Sequence, residues 1–300
     1  MRAFRHVDVF TRAPFSGNGL TVFPESAGLS AAQMQRVTQE MRQFESIFLV
    51  ATEDAHEVLA RVFTVEEELD FAGHPVLGAA CVLHECLAEA GEREVWRIRL
   101  NRSVAPVTTV RHEGWYSATM EQDAPVFGEI ASPKLRAEYA AALSLTTSDL
   151  DETLPLQMVS TGLPYLLVPM RRGLERARIA HPAFEALLGQ IGAKFVYVFD
   201  PHTREGRTWD NAGLVEDVAT GSAAGPTAAY LVRYGLAQPE TELVLAQGRF
   251  VGRPSQITAR VAGSAEAISG VSVGGDVCMV GSGEIVEPAG AAGAAGAEAQ

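Results

Sequence analysis

The chain opens on an alternation of apolar and polar positions, Ala3-Phe4-Arg5-His6-Val7-Asp8-Val9-Phe10, the pattern of a half-buried strand. A glycine turn and a second strand follow. Residues 31–43 are predicted helical, with Ser30 as N-cap and Gln33 completing a capping box. Met34, Val37, Met41 and Phe44 form its apolar stripe. Ser46-Ile47-Phe48-Leu49-Val50 then reads as a strand, so Glu45 stands where a helix ends and a buried strand begins. Further strands are predicted at residues 62–64 and 95–100, a helix at 75–85, and a hairpin from 104–110 and 115–121. The polar, proline-bearing stretch 123–133 is the best domain boundary. Beyond it the pattern predicts helices at 135–143, 182–191 and 225–234, the last closed by Gly235 at C′. Strands at 195–199, 256–261 and 271–280 alternate with them.

The two halves echo each other. Asp70-Phe71-Ala72-Gly73-His74-Pro75-Val76-Leu77-Gly78 is answered by Val218-Ala219-Thr220-Gly221-Ser222-Ala223-Ala224-Gly225-Pro226. Gly73 and Gly221 lie 148 residues apart, and Glu68 and Glu216 coincide at the same offset. A second echo aligns Phe15-Ser16-Gly17-Asn18 with Ser160-Thr161-Gly162-Leu163, 145 residues apart at the glycines. A duplication predicts two lobes, each presenting a helix N-terminus able to hold an anion. The expected domains are residues 1–122 and 123–287, followed by a disordered Ala/Gly tail at 288–300.

Composition narrows the partners. A formal net charge of −13 argues against nucleic acid and anionic membrane surfaces, while leaving a locally positive cleft possible. No apolar run approaches the roughly 20 residues of a membrane helix. With no signal peptide at its start, the chain is expected in the cytoplasm. Cys81, Cys86 and Cys278 show no C-x-x-C spacing and are expected to be small buried hydrophobes. The only lysines are Lys134, in a polar helix, and Lys194, at a strand edge. Only Lys194 is a conceivable Schiff-base lysine for a pyridoxal phosphate enzyme, and it is expected instead to be a solvated lysine at a strand edge. No dinucleotide or P-loop fingerprint occurs, and His74 and His84 lack metal-ligand spacing. The expectation is no metal and no cofactor.

Glu45 is the leading candidate for chemistry. Its flanks, Phe44 and Ile47-Phe48-Leu49, make it either an exposed helix-end acid or a desolvated proton carrier. His74 precedes Pro75 and either lies beside free backbone N–H groups or merely packs. Asp217 is a solvated loop acid or a substrate contact, and Ser222 a helix cap or a ligand for an anion. Taken together, these residues suit proton transfer at a carbon next to a carboxylate.

Five segments, in order, resemble the PhzF-like family, relatives of diaminopimelate epimerase. They are Asp8-Val9-Phe10-Thr11 with Pro14-Phe15-Ser16-Gly17-Asn18; Glu45-Ser46; Phe71-Ala72-Gly73-His74-Pro75; Glu216-Asp217-Val218-Ala219-Thr220-Gly221-Ser222-Ala223; and Gln247-Gly248 with Gly252-Arg253-Pro254-Ser255. The resemblance covers nearly all of residues 1–285. It implies an α+β fold of two similar lobes, each a mixed curled sheet around a central helix, with the active site between them. It also implies no cofactor and a homodimer. By resemblance Glu45 shuttles a proton between carbons, and His74 and Asp217 hold and polarise the substrate. Gly73, Gly221 and Ser222 bind its carboxylate, and Asn18 is a further binding residue. The chain departs from the family at Gly19 and Val218, where proline is common, and lacks the thiol pair of the epimerase relatives. The implied activity is a cofactor-independent isomerase moving a double bond in a small unsaturated or cyclic amino-acid-like carboxylate. A one-base epimerase or dehydratase of a hydroxylated imino acid, and a non-catalytic small-molecule binding protein, are the alternatives.

Overall fold

A computed structural model describes residues 1–70, 72–87 and 89–288. The chain forms two compact units, Met1–Met120 with Gly275–Gln300, and Glu121–Gly274. In the first run β1 (Arg2–Val9), β2 (Asn18–Phe23), α1 (Ala31–Met41), β3 (Glu45–Ala51), β4 (Glu57–Thr64), β5 (Glu68–Leu69), α2 (His74–Cys86), β6 (Arg93–Arg99), β7 (Val104–Arg111) and β8 (Tyr116–Gln122). Then come β9 (Val126–Ile130), α3 (Pro133–Ala142), β10 (Gln157–Ser160), β11 (Pro164–Pro169), α4 (Phe184–Gly189), β12 (Phe195–Phe199), β13 (Gly206–Arg207), α5 (Gly221–Arg233), β14 (Glu242–Gln247), β15 (Ser255–Gly263) and β16 (Ile268–Ile285).

The duplication is visible in the topology. In the first unit an antiparallel hairpin, β1 and β2, is followed by a crossover through α1 to β3, which lies parallel to β2. In the second unit β10 and β11 form the hairpin, and α4 carries the chain to β12, parallel to β11. Both then add an antiparallel strand, β4 or β13, enter a 13-residue helix, α2 or α5, and leave through further strands. The strand after the helix runs parallel to the strand before it, β6 beside β4 and Ala246 of β14 bridged to Glu205. The fold is therefore mixed α+β, with each half a curled sheet around one helix.

The sheet order in the first unit is β1-β2-β3-β4-β6-β7-β8-β16, and β16 returns to pair with β1, so the strands form a ring. Residues 277–285 supply that returning strand, whereas residues 268–274 pair with β15 in the second unit. The sequence reading places all of 123–287 in one lobe. Nothing local marks residue 275 as the point where a strand changes unit, because the partner that decides it lies some 270 residues away in β1. The Ala/Gly tail beyond Pro288 lies outside the described residues.

α2 packs against β1, β2, β3, β6 and β7 and is buried on almost every side. A helix wrapped this way must be small and apolar all round. Gly78 shows why: a Cβ there would sit 2.6 Å from Leu20 Cδ2 of β2. α5 is buried in the same manner from Ala223 to Val232 and packs on β10, β11 and β15. Outside the first ring, α1 covers Phe23, Phe48 and Phe63 with Met34 and Val37. Phe23 and Phe48 stack at 4.7 Å, and Phe63 meets Phe48 edge-on.

The capping box of Ser30 and Gln33 forms as expected. Arg42 in the left-handed region ends α1 after Met41, so Phe44 leaves the predicted stripe and is exposed. α5 begins at Gly221, a turn before the predicted 225, and carries Pro226 inside it. Burial of that turn outweighs the breaker signal of Gly225-Pro226. Cys81 and Cys278 are buried as expected, but Cys86, at the end of α2, is exposed. No helix among the described residues is long and apolar enough to cross a membrane.

Candidate functional site

Four of the expected residues gather in the first unit. Glu45 opens β3 in register with Leu20 of β2 and Thr64 of β4. Paired residues share a face, and Leu20 faces α2, so Glu45 is turned toward that helix. Asn18, two residues before Leu20, is on the same face and buried. Gly73 is the N-cap of α2, His74 its first residue and Pro75 its second, one position later than the sequence suggests. Pro75 costs no hydrogen bond there, because first-turn N–H groups have no intrahelical partner.

His74 Nδ1 lies 3.6 Å from Glu45 Oε2, with side-chain exposures of only 7% and 12%. This contact is not an ion pair. Burial pushes the His74 imidazole down to about 3, so it is neutral near pH 7. A neutral ring donates a hydrogen bond from one nitrogen and accepts one at the other without adding charge, and 3.6 Å leaves the two groups outside direct hydrogen-bond range. His74 Nε2 is buried with no hydrogen-bond partner in the protein. A buried polar atom of this kind is normally satisfied, which makes Nε2 a candidate for contact with a ligand or water. The other buried histidine of the unit, His84, contrasts with it. Its Nδ1 meets Thr109 Oγ1 at 2.8 Å and its Nε2 the Gly91 carbonyl at 3.0 Å, a saturated packing residue.

The depressed titration of His74 has a testable consequence. Between about pH 6.5 and 3 the unfolded chain holds a proton on this residue that the folded one does not. Stability then falls as pH drops through that window. Nitrogen-15 NMR of His74 is expected to report a neutral ring down to pH 5. A cationic ring at pH 6 refutes the assignment.

The other three residues, Asp217, Gly221 and Ser222, belong to the second unit. The Asp217 N–H donates to the Thr208 carbonyl. Its Oδ2 accepts from Thr220 Oγ1 at 2.6 Å, and Thr220 is the N-cap of α5. Gly221 and Ser222 are the first two residues of that helix, and Ser222 Oγ lies 2.8 Å from the Tyr165 hydroxyl. Tyr165, Thr220 and the buried Gln247 are polar partners to which sequence reasoning gave no role. Gln247 was within reach, since the Gln247-Gly248 motif is part of the family pattern.

Each unit also holds a bidentate arginine–glutamate pair just upstream of its central helix. Arg61 grips Glu68 at 2.8 and 2.6 Å, and Arg207 grips Glu216 at 2.8 and 2.6 Å. The strand registers agree as well, Phe63 opposite Glu68 and Trp209 opposite Glu216. The coincidence of Glu68 and Glu216 in sequence is thus a repeated structural device. Among the described residues, no three His, Cys, Asp or Glu side chains come together as a metal site.

The family model of phenazine biosynthesis-like proteins, PhzC-PhzF, matches residues 7–283. The trans-2,3-dihydro-3-hydroxyanthranilate isomerase of Pseudomonas chlororaphis is 31% identical over 286 residues, covering 93% of this chain and 98% of the relative. A Pseudomonas aeruginosa protein described as a predicted epimerase superposes with a TM-score of 0.89 at 46% identity, covering 96% of this chain and all of the other. A PhzF-family phenazine biosynthesis protein of Bacillus anthracis gives 0.83 at 27% identity, covering 95% and 99%.

Proposed function

The chain belongs to the phenazine biosynthesis-like PhzC-PhzF family and is an isomerase, and we propose that Glu45 is the acid/base that moves its proton. The reading is a cofactor-independent isomerase of a small unsaturated or cyclic amino-acid-like carboxylate. The Glu45 carboxylate takes a proton from one carbon, breaking that C–H bond. The electron pair shifts the double bond, and the same carboxyl returns the proton to another carbon. His74, neutral and buried, hydrogen-bonds the substrate from Nε2. Gly73 and Asn18 in the first unit bind and orient the substrate beside Glu45, and Asp217, Gly221 and Ser222 in the second unit are further substrate-binding residues. The single observation that carries this reading is the Glu45 carboxyl, nearly buried and 3.6 Å from an imidazole that burial keeps uncharged. A carboxyl shielded from water can keep a proton between removal and return. Family membership also supports a homodimer.

The test uses trans-2,3-dihydro-3-hydroxyanthranilate, the compound named for the relatives, with the purified protein in D2O and proton NMR as readout. The expected result is a relocated double bond with less than one deuterium per product at the receiving carbon. A one-base epimerase, favoured by the description of the 46% identical structure, exchanges deuterium at one carbon without moving the double bond. Loss of water marks a dehydratase. Binding of this and related ring carboxylates with no conversion refutes catalysis altogether.

A further inference from the structure

Gln247 ends β14 with its side chain buried, and its amide makes four hydrogen bonds. Oε1 accepts from the Thr220 N–H at 3.1 Å and from the Tyr197 hydroxyl at 3.3 Å. Nε2 donates to the Asp217 carbonyl at 2.9 Å and to Thr220 Oγ1 at 3.0 Å. Two of these partners are backbone groups of fixed polarity, so the amide can sit only one way round. The Thr220 hydroxyl therefore accepts from Gln247, and its one proton goes to Asp217 Oδ2 at 2.6 Å. Burial pushes the Tyr197 phenol up, which keeps it a donor. The strand end that carries Gln247 is itself fixed. Gly248 has φ +85°, and a Cβ there would lie 2.2 Å from the Arg253 carbonyl and 2.7 Å from that of Val218.

We propose that Gln247 and Thr220 are positioning residues for Asp217, a directional hydrogen-bond relay that aims its carboxylate. Gln247 holds the Asp217 backbone directly and reaches the carboxylate through Thr220. Satisfied at every donor, such a network specifies one arrangement. The relay rests on the reading of Asp217 as a substrate-binding residue, and its test separates the two.

Three variants of the full chain are compared: Thr220→Ser, Thr220→Val and Gln247→Glu. Each is followed by thermal melting, by kcat and KM against pH, and by carbon-13 titration of the Asp217 carboxyl. Thr220→Ser keeps the hydroxyl and is expected to match wild type in all three. Thr220→Val keeps the shape but removes the proton given to Oδ2. Because it also leaves one buried Gln247 N–H without its acceptor, it is expected to fold but melt below wild type, to titrate Asp217 at higher pH, and to lose kcat by about tenfold or more, the scale of one charge-assisted hydrogen bond. Gln247→Glu, when ionised, has no donor for Asp217 and takes the Thr220 proton for itself. When protonated it regains one donor. Its activity is expected to fall as pH rises, along a limb that wild type lacks. If Gln247→Glu does not fold, the threonine pair decides. A Thr220→Val protein with wild-type kcat and unchanged Asp217 titration overturns the relay. If no form turns over substrate, the proposed function fails while the Asp217 titration still decides the relay.

Discussion

Glu45→Gln is expected to stop turnover while leaving the fold and substrate binding in place. The substitution keeps the shape of a side chain only 12% exposed and removes the group that carries the proton. The His74 ring beside it is held neutral by burial, so no ion pair with His74 is lost. Removing one well-placed general acid/base costs on the order of 10²- to 10⁴-fold in rate. Glutamine cannot accept a proton from carbon at neutral pH, so the loss belongs to kcat rather than KM. Glu45→Asp should fall between the two, since it retains the acid but withdraws it by one methylene from its place beside His74. The measurements are product formation by NMR, ligand affinity by calorimetry, and a urea unfolding midpoint as control. Activity of Glu45→Gln within tenfold of wild type would remove the residue from the mechanism. A large drop in unfolding midpoint would instead make Glu45 a structural acid.

Much of the frame was legible because its signals are local. The capping box at Ser30, the proline at the start of α2 and the hairpin of β7 and β8 each depend on residues a few positions apart. The repeat around Gly73 and Gly221 was legible too, and with it the two wrapped helices. Its companion feature was not. Arg61 and Arg207 lie 146 residues apart, Glu68 and Glu216 148, because the second unit carries two more residues between strand and glutamate. One fixed offset cannot align both partners of each pair. The candidate site was named residue by residue through the family motifs, and of that set Glu45 and His74 lie side by side in the structure. The hydrogen bonds that join Gln247 and Thr220 were hidden for a physical reason. A buried glutamine reads as an ordinary strand end until its four hydrogen-bond partners are placed around it.

The repeated arginine–glutamate pairs also predict unequal stability costs from one substitution. Arg207→Ala is expected to cost about 3–5 kcal/mol and Arg61→Ala about 1 kcal/mol or less. The chemistry of the two pairs is the same; their solvation is not. Arg207 and Glu216 are 9% and 10% exposed, Arg61 and Glu68 34% and 24%. Arg207 Nη1 also serves the carbonyls of Leu174, Glu175 and Ala177 at 2.8, 3.1 and 3.0 Å. Its guanidinium stacks over Trp209 and Phe250. Truncating it strands a buried carboxylate and three carbonyls together, whereas the carboxylate left by Arg61→Ala keeps Asn101 and water. Lysine at 207 should recover little, because one ammonium cannot reproduce a planar fork and three further contacts. Urea unfolding of the two alanine variants measures the difference directly. Equal costs would show that burial does not set the value of the pair. A costly Arg207→Ala should also lower activity, since Glu216 immediately precedes Asp217 and anchors the strand bridge opposite Trp209.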